Sequence, residues 1–346
     1  MNTERFTDSV REALLLAQDI VARYNHHILD AEHLLLAIIE QDDGIGRKLI
    51  ERTIIICNTS NMPVAAREAS VYTAMSIAEY YRSMGLKVLL LADSTSRWAQ
   101  ALREMSNRME ELPGPDAFPM DLPAIISNFY SRAGYVYLNN GSAGSITFIG
   151  AVSPSGGNLK EPVTEATKKT ARCFYSLSQD RADSKRYPAV DPIDSYSKYL
   201  EYEEVQDYLN NNIAPGWVNS VLAAKDLLLR GKEAKDQINI LGDDGVPLDY
   251  HSSFWKSELV DRIILVQDGF DDVDKSTPMK RQAYMLNLVL KVCDTDLSFE
   301  SYEELQPYYT KLINTLGQMN YQPFQSDDFR KYEAQLDTIL DERRVK

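Results

Sequence analysis

The sequence predicts an α/β protein with a parallel-sheet core, a short helical segment before it and an all-helical region after it. Three observations carry this reading. Between residues 52 and 204, apolar runs of strand length alternate with helix-period segments, the pattern of a mostly parallel sheet. After about residue 205 the strand patterns fade and helix-period apolar residues take over. Residues 1–51 carry apolar residues three or four apart and no strand-like run. The expected domains are therefore 1–51, 52–204 and 205–346.

The first segment reads as helical in detail. Phe6, Val10, Leu14, Ala17 and Val21 lay one stripe along a helix, with Thr7 as its N-cap. A second helix follows Asp30 and carries Leu34, Leu35, Ile38 and Ile39, ended by Asp42-Asp43-Gly44. A third short one runs through Arg47, Leu49 and Ile50. From Thr53 to Cys57 three successive isoleucines signal a buried strand. Pro63 opens a helix to about Met84. Lys87 to Ala92 is a second buried strand, and Ser94 or Thr95 opens the next helix toward Glu111. Pro113, Gly114, Pro115 and Pro119 make a rigid loop, and another helix ends near Ala133-Gly134. Ser145–Gly150 and Arg172–Leu177 are the third and fourth strands. Segments 216–232, 254–267, 277–294 and 326–344 are the helices of the last region.

Length and charge exclude several classes. At 346 residues the chain suits two or three domains. Its 37 basic and 51 acidic residues give a net charge of −14, which disfavours a nucleic-acid coat, because phosphate backbones need clustered cations. Three widely spaced cysteines, Cys57, Cys173 and Cys293, make neither a disulfide framework nor a zinc pattern and suit a reducing cytosol. No run approaches the roughly 18 apolar residues of a membrane span. The polar N-terminus lacks the apolar core of a signal peptide. A cytoplasmic protein, peripheral to a membrane only through partners, is expected.

The chemistry centres on Lys87-Val-Leu-Leu-Leu-Ala-Asp93, a hydrophobic strand ending in an aspartate. In nucleotide hydrolases this places a carboxylate at the carboxyl end of a strand, where it holds magnesium, usually through water. The bland alternative is an aspartate that only caps the next helix. Context favours the first. Residues 58–70 read NTSNMPVAAREAS, 93–104 read DSTSRWAQALRE, 144–167 read GSITFIGAVSPSGGNLKEPVTEAT, and 186–199 read RYPAVDPIDSYSKY. With FDDVDKSTPMKRQAYML at 270–286, these motifs in this order closely resemble the catalytic A subunit of V-type and archaeal-type rotary ATPases, over about residues 52–346.

That resemblance implies a RecA-like nucleotide-binding core followed by a helical domain that touches a central rotor. It implies ATP or ADP with Mg2+ as ligands. It also implies B subunits, alternating with A subunits in a hexamer, and central-stalk subunits as partners. By the same resemblance Asp93 matches the Walker B aspartate that holds magnesium, and Arg97 lies near the nucleotide phosphates. Tyr187 matches the adenine-stacking wall, against the alternative of a half-buried core tyrosine. Phe270 is a possible second wall, against ordinary packing. Arg67 serves either a subunit contact or an internal salt bridge. The serine-rich DSTS is not a nucleophile site, since no histidine base accompanies it.

A phosphate-binding loop requires GxxxxGK[ST] between a strand and a helix, so that backbone N–H groups cradle the phosphates and a lysine neutralises them. The sequence has no such motif. Its one Gly-Lys pair, Gly231-Lys232, lies in an apparent helix. The family's segment supplying a water-activating glutamate is also lacking, so the RecA-like core is expected to be truncated, without its phosphate-loop strand. Residues 5–39 instead include RFTDSVREALLLAQ and HHILDAEHLLLAII. These resemble the start of the N-terminal domain of Clp-family unfoldases, with His26, Leu29, Glu32 and His33 on the pattern and His33 as a packing histidine. The sequence thus reads as a chimera joined at Glu51-Arg52. The first functional expectation is a rotary-ATPase catalytic-type subunit with weakened ATP binding and impaired hydrolysis. The alternatives are a non-enzymatic protein-binding module built on the Clp-like helices, or a fragment without function.

Overall fold

The computed structural model describes residues 8–24, 36–37, 40, 52–59 and 61–345. Thr7, most of the expected second and third N-terminal helices, and the positions His26, Leu29, Glu32 and His33 lie outside the described residues. The chain divides into two compact units, one up to Ala166 and one from Thr167 onward.

In the first unit, α1 spans Asp8–Arg23 and buries Ala13, Ala17 and Ile20, the last two packed with Ala37. Helix α2, Val64–Ser83, begins directly after Pro63, whose fixed φ suits a helix start. Strand β1 is Lys87–Ala92, followed by α3, Thr95–Arg108, with Ser94 at its N-cap. Helix α4, Leu122–Ser131, leads into β2, Gly134–Tyr137, and β3, Ala143–Gly150. The sheet order is β1-β3-β2. β1 and β3 run parallel with Leu89 opposite Thr147 and Leu91 opposite Ile149. β2 and β3 are antiparallel.

The expected mostly parallel sheet is thus a small mixed one. The reason is a tight hairpin: Leu138 N donates to Ser142 O, and Gly141 takes a positive φ of 83° that a side chain would strain. The expected buried strand Thr53–Cys57 also does not form. An apolar run becomes a buried strand only with neighbours to complete its ladder, and among the described residues β1 pairs with β3 alone. Residues 53–57 are irregular and exposed, Ile55 at 74%.

One face of the sheet is packed and the other bare. Ile146, Val88, Leu90 and Phe148 meet Met75, Trp98, Leu102, Ile126 and Phe129 from the helices. On the opposite face, at the alternate positions of each strand, Leu89, Leu91, Ile149, Tyr135 and Tyr137 are all exposed. Lys87–Ala92 is therefore a strand but not a buried one.

The second unit is mostly helical. Helix α5, Pro162–Thr170, leads into it. The expected strand 172–177 shrinks to β4, Cys173–Phe174, which pairs antiparallel with β5, Tyr196–Ser197, because the chain from Ala189 to Ser197 folds back on it. Ser178 N donates to Ala189 O and Asp191 N to Ser176 O, so the returning YPAVDP segment takes the backbone bonds that a wider sheet would have used. After the short α6, Gln179–Asp183, come α7, Glu203–Asn212; α8, Trp217–Leu241; and α9, Leu248–Val260. The last of these passes into a π-helical turn, Asp261–Leu265. Helices α10, Met279–Asp294; α11, Tyr302–Asn320; and α12, Asp327–Asp341, complete the unit. Leu259, Val289, Leu305, Tyr309, Leu312, Leu316 and Leu336 form its core. Helices α5, α6, α7 and α11 were not expected from the sequence; α11 carries Pro307 inside it and a polar outer face.

Candidate functional site

Asp93 stands at the carboxyl end of β1, at the turn into α3, and is exposed. The parallel β1–β3 pair ends there on both strands, which is where open α/β sheets leave a ligand crevice. Two clefts open at this end. One of about 510 Å³ is lined by Asp93, Ser94, Ser96, Arg97, Ser153, Ser155 and Glu161. The other, about 460 Å³, shares Asp93, Ser94 and Arg97 and is walled by Ile56, Val71, Trp98 and Phe129.

The threonine and the second serine of DSTS have structural partners. Thr95 N and Oγ1 both donate to Ala151 O, at 2.9 and 3.1 Å. Ser153 N donates to Ser96 Oγ at 2.9 Å. These bonds tie the first turn of α3 to the loop after β3, so the strand ends and helix start form one rigid rim. Arg97, one turn into α3, is exposed; its Nη1 donates to Gln100 Oε1 at 3.1 Å. Asp93 and Arg97 therefore share a cleft.

Arg67 makes an internal salt bridge: its Nη2 lies 2.8 Å from Glu104 Oε2. Sequence reasoning missed Glu161. Its Oε2 is buried without a hydrogen-bond partner. Burial, then the charge of Asp116, push its carboxyl above the usual range against the pull of Arg103. The signal was there: an acid followed by Pro162 at the first position of a helix, inside the motif segment 144–167.

Tyr187 and Phe270 belong to the second unit. Tyr187 is 54% exposed. Its peptide oxygen accepts from Gln267 N at 2.7 Å. Gln267 Nε2 donates to Asp274 O at 2.6 Å, Asp268 N to Asp274 Oδ2 at 2.7 Å, and Phe270 N to Asp268 Oδ1 at 2.9 Å. A chain of hydrogen bonds thus links the two aromatic positions. Phe270 is 94% exposed, so packing does not account for it. Just before Tyr187, Arg186 donates to both Glu258 oxygens, at 3.0 and 2.9 Å, and to Asp261 Oδ2; Arg181 Nη1 holds Asp261 Oδ1 at 2.7 Å. Burial would raise the Glu258 carboxyl, but hydrogen bonds and charge from Arg186 and Arg262 outweigh it and leave it below the usual range.

Gly231-Lys232 lies inside α8, as expected, where a phosphate loop cannot form. Among the described residues, no helix is long and apolar enough to cross a membrane. Nor do three His, Cys, Asp or Glu groups among them converge to hold a metal.

A small mixed sheet in a mostly helical structure is consistent with a partial RecA-like core followed by a helical domain. The comparisons with known proteins agree. The ATP synthase alpha/beta family, nucleotide-binding domain, matches residues 34–197. The Clp repeat (R) N-terminal domain matches residues 5–60, so the two matches overlap across the expected join. The chain is 47% identical over 307 residues to a V-type ATP synthase alpha chain of Borrelia recurrentis (strain A1), covering 88% of this chain and 50% of that one. To that of Treponema denticola it is 46% identical over 313 residues, covering 88% and 51%. To that of Protochlamydia amoebophila it is 45% identical over 305 residues, covering 88% and 51%. The chain is homologous to these V-type ATP synthase alpha chains, with a Clp-like segment at its N-terminus. It spans about half the length of the curated relatives it matches.

Proposed function

We propose that this chain is a rotary-ATPase catalytic-type subunit in reduced form, one that binds ATP or ADP weakly with magnesium and hydrolyses it poorly. The observation that carries the reading is Asp93 at the carboxyl end of β1, sharing a cleft with Arg97. The donor set fits magnesium rather than a softer ion. One carboxylate and the neighbouring serine hydroxyls are hard oxygen ligands, and magnesium takes few protein ligands and keeps several waters. When bound, the ion would offset phosphate charge.

In this reading Asp93 holds the ion through water, Arg97 neutralises phosphate oxygens, and Tyr187 stacks on the adenine, with Phe270 as a second wall. Stacking of this kind contributes roughly 1–3 kcal/mol per base. The sequence has no GxxxxGK[ST] motif, so the backbone cradle and lysine that make most nucleotide sites tight have no counterpart here. Loss of even one donor to a developing charge costs about 10²–10³ in rate. We place the join between the Clp-like and ATPase-like parts at Glu51-Arg52, and take B subunits and central-stalk subunits as the partners. The protein would then be cytoplasmic and reach a membrane only through the complex.

The test is equilibrium binding of ATP by the wild type and Asp93→Asn, with and without magnesium. Magnesium-enhanced binding that Asp93→Asn abolishes supports the reading. Binding indifferent to both magnesium and Asp93 contradicts it.

A further inference from the structure

The segment before Tyr187 is held far more firmly than the tyrosine itself. The Tyr187 hydroxyl makes a long 3.4 Å bond to Ala182 O, and the residue is 54% exposed. By contrast, Arg181 and Arg186 stand at the two ends of one tight turn, closed by a 2.8 Å bond from Arg186 N to Arg181 O. Their guanidinium groups take separate oxygens of the same carboxylate, that of buried Asp261. Arg186 also forks onto Glu258, which Arg262 Nε holds at 3.0 Å. Such largely buried charges are interdependent. Removing one leaves another desolvated and unpaired, which drives rearrangement of the backbone that carries it. Immediately after this cluster, Gln267 N fixes the Tyr187 carbonyl.

We infer that Arg186 is a positioning residue for nucleotide recognition: its fork onto Glu258 and Asp261 fixes the turn that presents Tyr187 to the purine ring. This rests on the reading of Tyr187 as an adenine wall. A lysine keeps the charge but presents a single ammonium, so it cannot hold both carboxylates in the fork geometry. The base-dependent part of binding then weakens, while the phosphate-dependent part stays.

The experiment compares the wild type, Arg186→Lys, Glu258→Gln and Tyr187→Ala in the full chain. It titrates ATP and, separately, inorganic tripolyphosphate, which has no base. It also maps tetranitromethane nitration of Tyr187 against exposed Tyr208 as reference. We expect ATP affinity to fall roughly tenfold in Arg186→Lys and Glu258→Gln, within what base stacking supplies. Tripolyphosphate affinity stays unchanged and Tyr187 nitration rises several-fold relative to Tyr208. If Arg186→Lys fails to fold, Glu258→Gln carries the same test. ATP affinity lost in Tyr187→Ala but kept in both clamp variants overturns the positioning role and leaves the wall standing. Parallel loss of ATP and tripolyphosphate binding, or unchanged nitration, also overturns it. Wild-type and Tyr187→Ala chains that bind ATP alike overturn the adenine wall and with it the role of Arg186.

Discussion

Gly231 meets Ser257 at the crossing of α8 and α9: a Cβ added at Gly231 would sit 2.0 Å from the Ser257 Cβ. That contact accounts for the glycine of the Gly-Lys pair. Gly231→Ala should force the helices apart and lower stability by about 1–3 kcal/mol, the usual cost of overpacking. Urea unfolding of the second unit, followed by tryptophan fluorescence, measures it. Lys232→Ala should leave ATP affinity unchanged.

Glu161 gives a pH-dependent prediction. Its folded carboxyl titrates above the usual value, chiefly through burial and then the charge of Asp116. Such a group contributes its stability below the unfolded pKa of about 4.3, and that contribution is lost as pH rises through the folded value. Glu161→Gln should therefore raise the thermal midpoint at pH 7. The two midpoints should converge below about pH 4, where the wild-type carboxyl is protonated. Calorimetry across that range decides it.

The cysteines should react in a fixed order. Cys57 is exposed, whereas Cys293 is buried and its thiol is pushed up to about 12, chiefly by burial. Only the thiolate reacts readily, so a disulfide reagent at pH 8 should label Cys57 in the native protein and Cys293 only after unfolding. Peptide mapping that finds Cys293 labelled as fast as Cys57 in native buffer would contradict this placement.

The bare sheet face should make the isolated chain sticky. Leu89, Leu91, Ile149, Tyr135 and Tyr137 form one exposed apolar surface on a three-stranded sheet. Leu91→Lys should reduce dye binding and self-association in sedimentation without lowering the thermal midpoint, because Leu91 is already 65% exposed.

What could be read from the sequence was local. Lys87–Ala92 and the helix after Ser94 announced themselves by a continuous apolar run and a capping residue, and both stand where expected. The β2–β3 hairpin was also signalled, by Asn139-Asn140-Gly141 between apolar runs, but Ala133-Gly134 was read only as a helix end. Ile54–Ile56 misled because burial depends on neighbouring strands that the run itself does not encode. Helix α11 hid behind Pro307, a residue that normally costs a helix interior about 3 kcal/mol and is tolerated here by a fully buried face including Tyr309 and Leu312. Of the candidate site, Asp93 and Arg97 were legible because strand and helix start adjoin in the chain. The Arg186–Glu258 contact was not, since 72 residues separate its partners.

The central claim is that an adenine nucleotide still finds a site on this chain. A fluorescent-ATP titration in magnesium, on the wild type and Tyr187→Ala, tests it most directly. Weak saturable binding that falls by roughly 5- to 150-fold in the variant is expected, the range that stacking supplies. No binding up to millimolar ATP, or equal binding by both chains, would contradict it.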